Sequence, residues 1–334
     1  MLEMLNPTGR DVLRFAAQVL RVRSSLKRAM KADPQQAQDM AVQYFCSPPD
    51  SARRAPDADR LRDDTQRFFG WSAVQWAAFE APVKALLSGA EKTSVTHAGL
   101  KVQCYRWRPV NASGKPKKPL GRLLFCHGWE GYAYNFALLI SKAVEAGYEV
   151  HAFDHLAHGA SEGELSGLPM ALDTLLTVAA HVNQTAGPID VLIGHSLGGA
   201  ASAWAAAHQQ IAVKRLVLLA PFYDTRMLSS QWAKAHLLPE EIRAALEAGL
   251  ERASGKRFDD FMPPSLATRF NALPHLPVLV LHDRDDKITP FKHSAALAQL
   301  VPQVVLHEAR KVGHIALLAD AACADVVMSF VKGR

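Results

Sequence analysis

Cysteine is scarce in this chain and has no pattern. Cys46, Cys104, Cys126 and Cys323 are spread over 334 positions with no paired spacing, so neither a disulfide framework nor a zinc or redox motif can be built from them. They are expected as free thiols in a reducing compartment, and the expected location is cytoplasmic. Long apolar runs are missing as well. Charges interrupt the hydrophobic stretches before they reach the roughly 20 residues of a membrane-spanning helix. The first residues lack the basic segment, apolar core and small-residue site of a secretory signal, so none is expected. What remains is of globular type, with 49% hydrophobic and 21% charged residues, enough chain for one large domain with additions or for two.

Acidic residues are nearly absent from one stretch. Between residues 10 and 31 stand Arg10, Arg14, Arg21, Arg23, Lys27, Arg28 and Lys31 against Asp11 alone. Leu13, Val19, Leu20, Val22, Leu26 and Met30 recur there loosely at helical spacing. Such a basic amphipathic helix either packs its apolar stripe on the body of the protein or makes a weak contact with an anionic membrane surface. The rest of the chain is near neutral and carries no nucleic-acid motif, so no nucleic-acid partner is expected.

The most informative stretch is Gly194-His195-Ser196-Leu197-Gly198. It follows the apolar, partly β-branched run Ile189–Ile193, which reads as a buried parallel strand. It precedes Gly199–His208, an alanine-rich run of high helix propensity. Strand, G-x-S-x-G and helix in succession predict a nucleophile elbow, in which glycines permit a tight turn and the serine hydroxyl stands clear of the sheet. The positive end of the following helix then faces the reacting centre.

A serine needs a base and a group to orient that base. Pro277–Asp283 predicts another buried strand, opening into Arg284-Asp285-Asp286-Lys287-Ile288-Thr289-Pro290. Val304–Glu308 predicts a last strand, followed by Val312-Gly313-His314. Serine, carboxylate and histidine thus arrive in chain order at three strand ends, where open α/β sheets gather their functional groups. Asp283, Asp285 and Asp286 each qualify by position as the acid. Asp154, His155 and His158 stand close together, either as part of a hydrogen-bonded loop or as metal ligands.

With these motifs assembled, residues 120–334 resemble the α/β-hydrolase family. His282, Asp286, Thr289 and Pro290 match its H-G-x-x-D-x-x-[VT]-P pattern, with Asp283 in place of the glycine. Gly313-His314 matches its G-H histidine. Phe125-Cys126-His127-Gly128-Trp129 matches its strand followed by H-G-x, and Asp154–Ser161 is similar to its D-x-x-G-H-G-x-S loop, with Ala157 replacing the first glycine. The resemblance implies Ser196 as nucleophile, His314 as base and Asp286 as acid. It implies backbone N–H groups of Trp129 and Leu197 as an oxyanion hole. Gly194, Gly198, His127 and Gly128 would be structural supports. No cofactor and no metal is expected.

The expected architecture is α/β, a doubly wound and mostly parallel sheet with an antiparallel edge hairpin near Lys92–Arg108. Residues 1–90 predict a helical N-terminal extension in which Trp71, Trp76 and Phe79 pack against something. Residues 91–334 predict the hydrolase domain. Between the strand Leu216–Ala220 and Pro277 lies an insertion too long for an ordinary connection, and the resemblance makes residues 223–276 a helical cap. Phe222, Tyr223 and Trp232 are candidates to line an acyl pocket. The expected activity is hydrolysis of small-molecule carboxylic esters, probed against thioesterase, acyltransferase and peptidase readings that share the triad, and against a non-catalytic binding or scaffold protein of the same fold.

Overall fold

Short aliphatic runs become strands here because helices cover both sheet faces, so every position along a strand can be apolar. In the computed structural model, which describes residues 9–55, 57–69, 80, 83–111 and 113–333, the strands are β1 (Glu91–His97), β2 (Leu100–Trp107), β3 (Arg122–Cys126), β4 (Glu149–Phe153), β5 (Val191–His195), β6 (Arg215–Leu219), β7 (Val278–Asp283) and β8 (Val304–Ala309). They form one eight-stranded sheet in the order β1-β2-β4-β3-β5-β6-β7-β8. β1 and β2 pair antiparallel, β2 pairs antiparallel with β4, and the remaining pairs are parallel. The hairpin turn at Ala98-Gly99 has φ of 49° and 80°, the left-handed pair that matches strand twist in two-residue hairpins.

Side-chain alternation divides the sheet into two cores. Leu124, Cys126, Leu192, Leu218 and Val280 face one of them. Helices Leu168–Thr185, Ser196–Ala207, Pro263–Asn271 and Phe291–Leu300 cover that face with residues such as Leu172, Ala200, Leu266 and Leu297. Leu123, Phe125, Ile193, Val217 and Leu281 face the other, under Leu139 and Ile140 of helix Ala137–Glu145 and Val327 of helix Ala321–Val331. Truncating any of these buried Leu or Ile residues to alanine costs about 2–5 kcal/mol. Two boundaries differ from expectation. The strand before the elbow begins at Val191 because Asp190 turns its carboxylate back to accept the Arg122 N–H at 2.8 Å. The helix after it begins at Ser196 itself.

The chain divides into two compact units. Pro48–Tyr223 and Phe261–Arg334 form the sheet unit. It includes helix Ala58–Phe69, with Leu61 in its core, and the Gly159 N–H donates to the Ala52 carbonyl at 2.8 Å. The second unit joins the described part of Met1–Ser47 to Asp224–Asp260, so the insertion after β6 is itself divided. This unit is helical, with helices Gly9–Ala32, Pro34–Cys46, Thr225–Ala235 and Glu240–Ser254. In the first, Val19, Val22, Leu26 and Ala29 are buried at spacings of three and four residues, while Arg21, Lys27, Arg28 and Lys31 are exposed. Trp71, Trp76 and Phe79 lie outside the described residues. Among the described residues no helix is long and apolar enough to cross a membrane, and all four cysteines are free and buried.

Candidate active site

β5 delivers Ser196 into a turn that only this packing tolerates. Ser196 has φ of 52°, the left-handed region, which costs a non-glycine residue on the order of 1–3 kcal/mol and persists only where surroundings over-determine it. The surroundings here are glycines. A side chain at Gly194 would lie 2.5 Å from the Gly198 carbonyl oxygen, and one at Gly198 would strike the carbonyl oxygens of Cys126 and His127. At Gly128 an added carbon would lie 2.9 Å from Ser196 Cβ. These three close approaches press the loop after β3 against the elbow. The Phe222 N–H donates to the Ser196 carbonyl at 3.0 Å and fixes the other side.

Asp286 and His314 meet from the ends of β7 and β8. His314 Nδ1–H donates to Asp286 Oδ2 at 2.7 Å. The same oxygen accepts from the Thr289 hydroxyl at 2.9 Å and from His282 Nε2–H at 3.1 Å. The other oxygen accepts the Ile288 and Thr289 N–H groups at 2.7 and 3.0 Å. Burial acts to raise the Asp286 carboxyl pKa, but the bonds from His282, His314 and Ile288 outweigh it and hold it well below the usual carboxylate range. A carboxylate that accepts at Nδ1 fixes the His314 tautomer, leaving Nε2 as an unprotonated base. The histidine is 7% exposed and Ser196 9%. His195, next to the serine, has its ring centroid 4.8 Å from that of His314.

The neighbouring carboxylates stand differently. Asp285 is exposed. Asp283 is fully buried, and its Oδ2 accepts the N–H groups of Val312 and Gly313, each at 2.5 Å. Of the three aspartates that position allowed, Asp286 is the one bonded to the His314 ring.

The loop after β3 carries Trp129, whose N–H has no hydrogen-bond partner among the described residues. Leu197 is the second residue of its helix, so its N–H is one of the four without an intrahelical acceptor. His127 anchors this loop. Its Nδ1–H donates to the Gly128 carbonyl at 2.7 Å and its Nε2 accepts the His155 N–H at 2.8 Å. His155 Nε2–H returns a bond to the His127 carbonyl at 3.0 Å. His158 Nδ1–H donates to the Leu156 carbonyl at 3.0 Å, and Nε2 accepts the Glu130 N–H at 3.1 Å. Asp154 accepts from Tyr105, Ala133 and Ala160 at 2.8–2.9 Å. These residues therefore form a hydrogen-bonded loop, in which the buried His155 Nδ1 is left without a hydrogen-bond partner among the described residues. Burial drives His155 to about 3 and His158 to about 4, so both are neutral at physiological pH. Ala157 adopts φ of 60°, the conformation for which glycine is favoured.

The pocket candidates separate. Phe222 and Tyr223 are buried in the sheet unit. Trp232 belongs to the helical unit and packs edge-on against Phe45, centroids 5.6 Å apart. Spacing alone missed three residues that complete the site. His282 and Thr289 converge on Asp286, as above, and His195 Nε2–H donates to the His314 carbonyl at 3.0 Å. The first two sit inside the strand-end motif, which was their only signal. His195 had none beyond its place in the elbow.

Comparison with known proteins bears on the fold. Residues 121–256 match the family model described as the alpha/beta hydrolase fold. The monoglyceride lipase of Rattus norvegicus is 31% identical over 122 residues, which are 35% of this chain and 38% of that protein. Among solved structures, Est1E from Butyrivibrio proteoclasticus is similar with a TM-score of 0.57 at 18% identity, over 72% of this chain and 98% of that one. The Pyrococcus furiosus esterase Pf2001 gives 0.56 at 16%, over 86% and 96%. At such identities the structural likeness speaks to the fold. Sheet order, elbow and the match over residues 121–256 together show the α/β-hydrolase fold.

Proposed function

We propose that this chain is a serine hydrolase of small carboxylic esters, with a preference for hydrophobic acyl groups. Ser196 Oγ attacks the ester carbonyl while its proton passes to His314 Nε2. Asp286 holds the imidazole in the required tautomer and stabilises its cation. The N–H groups of Trp129 and Leu197 receive the developing oxyanion, each such donor contributing roughly 3 kcal/mol to the transition state. Collapse of the tetrahedral intermediate expels the alcohol, protonated by His314. Water, activated by the same histidine, then releases the acid and restores the serine. Phe222 and Tyr223 are the proposed acyl contacts in the sheet unit.

The observation that carries this reading is the 2.7 Å bond from His314 to a carboxylate held ionised beneath it. Its setting supports it, with a strained serine at a helix N-terminus that directly follows His195, whose ring centroid lies 4.8 Å from that of His314. The lipase among the relatives and the esterase among the similar structures support the ester class. A fluorophosphonate probe, applied to the protein and to Ser196→Ala, tests the nucleophile, and p-nitrophenyl esters of graded length test the acyl group. Labelling should vanish in the variant and turnover should peak at one chain length. Absence of labelling from well-folded protein would refute the activated serine, and labelling without ester turnover would refute the ester class alone.

A further inference from the structure

Asp283 is not bonded to the His314 ring, yet it is fully buried at the end of β7, and its oxygens accept backbone N–H groups. Its Oδ1 accepts the Asp285 N–H at 2.8 Å. Its Oδ2 accepts two consecutive backbone N–H groups, of Val312 and Gly313, at 2.5 Å each. These are the two residues immediately before His314. Gly313 has φ of 90°, so the backbone turns sharply there, and such a turn points successive N–H groups to one side as an anion-binding concavity. Here the anion in that concavity is a carboxylate of the same chain. The His314 carbonyl on the far side is held by His195 Nε2–H. The histidine backbone is thus gripped on both flanks by buried side chains from two other strand ends.

We infer that Asp283 is a positioning residue, which clamps the Val312–Gly313 backbone so that the His314 imidazole stays in line between Asp286 and Ser196. The inference rests on the reading of Ser196, Asp286 and His314 given above. It follows from cost. A buried carboxylate is expensive unless its oxygens are satisfied, and here they are satisfied by three backbone N–H groups, two of them from the residues just before His314. One oxygen that accepts both of those N–H groups restrains the loop that sets where Nε2 stands. A displacement of about 1 Å in such a group costs up to about a hundredfold in rate.

The test compares Asp283→Ala and Asp283→Asn with the unaltered protein, reading kcat and KM on the best p-nitrophenyl ester and hydrogen exchange of the Val312–Gly313 amides. In Asp283→Ala, kcat should fall about tenfold to a hundredfold with KM within about twofold, and the two amides should lose protection. Asp283→Asn keeps an oxygen for the pair and should recover most of kcat. Should the alanine variant fail to fold, Asp283→Glu replaces it, since a carboxylate one methylene longer must push the loop away and lower kcat in the same manner. Wild-type kcat in either disruptive variant would overturn the inference, as would unchanged amide protection or a loss confined to KM. If the unaltered protein neither labels nor turns over esters, the functional reading fails, and amide exchange still decides whether Asp283 holds the loop.

Discussion

A single oxygen, Asp286 Oδ2, receives three side-chain donors, from His314, Thr289 and His282. That convergence makes Asp286 both an orienting group and a pH-independent one. Its folded pKa is depressed, so its stabilising contribution is present above the ordinary carboxylate value near 4 and is lost only as pH falls well below it. The acid limb of any pH–rate profile therefore belongs to another group. Asp286→Asn keeps Oδ1 as acceptor for Ile288 and Thr289 but presents an amide in place of the negative oxygen, which favours the wrong imidazole tautomer. Its kcat should fall on the order of 10⁴-fold, and the melting temperature should fall too, because three side-chain donors lose their anionic acceptor. Asp285→Asn, at an exposed position, should stay near wild type. A crippled Asp285→Asn beside an active Asp286→Asn would reverse the assignment.

At the level of elements, close approach is set by residues without side chains. In the sheet unit, Gly194, Gly198 and Gly128 let the elbow, its helix and the loop after β3 touch through backbone atoms. In the helical unit, Gly249 does the same for helix Glu240–Ser254. An added carbon there would lie 2.8 Å from Gln38 Cγ and 2.9 Å from Val42 Cγ2, on helix Pro34–Cys46. Gln38 Nε2–H also donates to the Ala245 carbonyl at 2.7 Å along that seam. Gly249→Leu must separate the two helices or force off-rotamer side chains, which costs about 1–3 kcal/mol. Urea unfolding of the variant should show that loss, and a midpoint equal to wild type would mean that the two helices do not pack through Gly249.

For the molecule as a whole, buried imidazoles couple stability to pH. Burial drives His155 and His195 to about 3 and His158 to about 4, and holds His127 well below its usual value. Each stays neutral when folded and takes up a proton when unfolded, below an ordinary histidine value near 6.5. The unfolded state then binds more protons, so stability rises with pH across that window, by up to about 1.4 kcal/mol per pH unit for each histidine. Four together give a slope of up to about 5 kcal/mol per unit between about pH 6 and pH 4. Depressed carboxylates such as Asp286 add to the acid side and leave neutral pH untouched. Chemical denaturation at pH 8, 6 and 5 should show a steep loss between the last two. A flat profile would mean that these rings titrate freely.

Much of this protein is determined by the sequence alone. Branched aliphatic runs ending in G-x-S-x-G, in an aspartate-rich turn and in Gly313-His314 specify three strand ends, because periodicity and turn chemistry are properties of neighbouring residues. They carried the α/β architecture, the antiparallel edge hairpin and the elbow. The family pattern already pointed to Asp286 among three adjacent aspartates, but which carboxylate bonds the His314 ring is a matter of tertiary structure, since it depends on where the end of β8 brings that ring. The same holds for the second grip on His314, through Asp283 and His195, and for the loop built by His127, His155 and His158. It holds too for the partition of the insertion, in which Asp224–Asp260 joins the helices before Ser47 while the rest joins the sheet. Such pairings link positions far apart along the chain, so no local pattern records them. They exist only when the packed sheet sets strand ends within hydrogen-bond distance of one another.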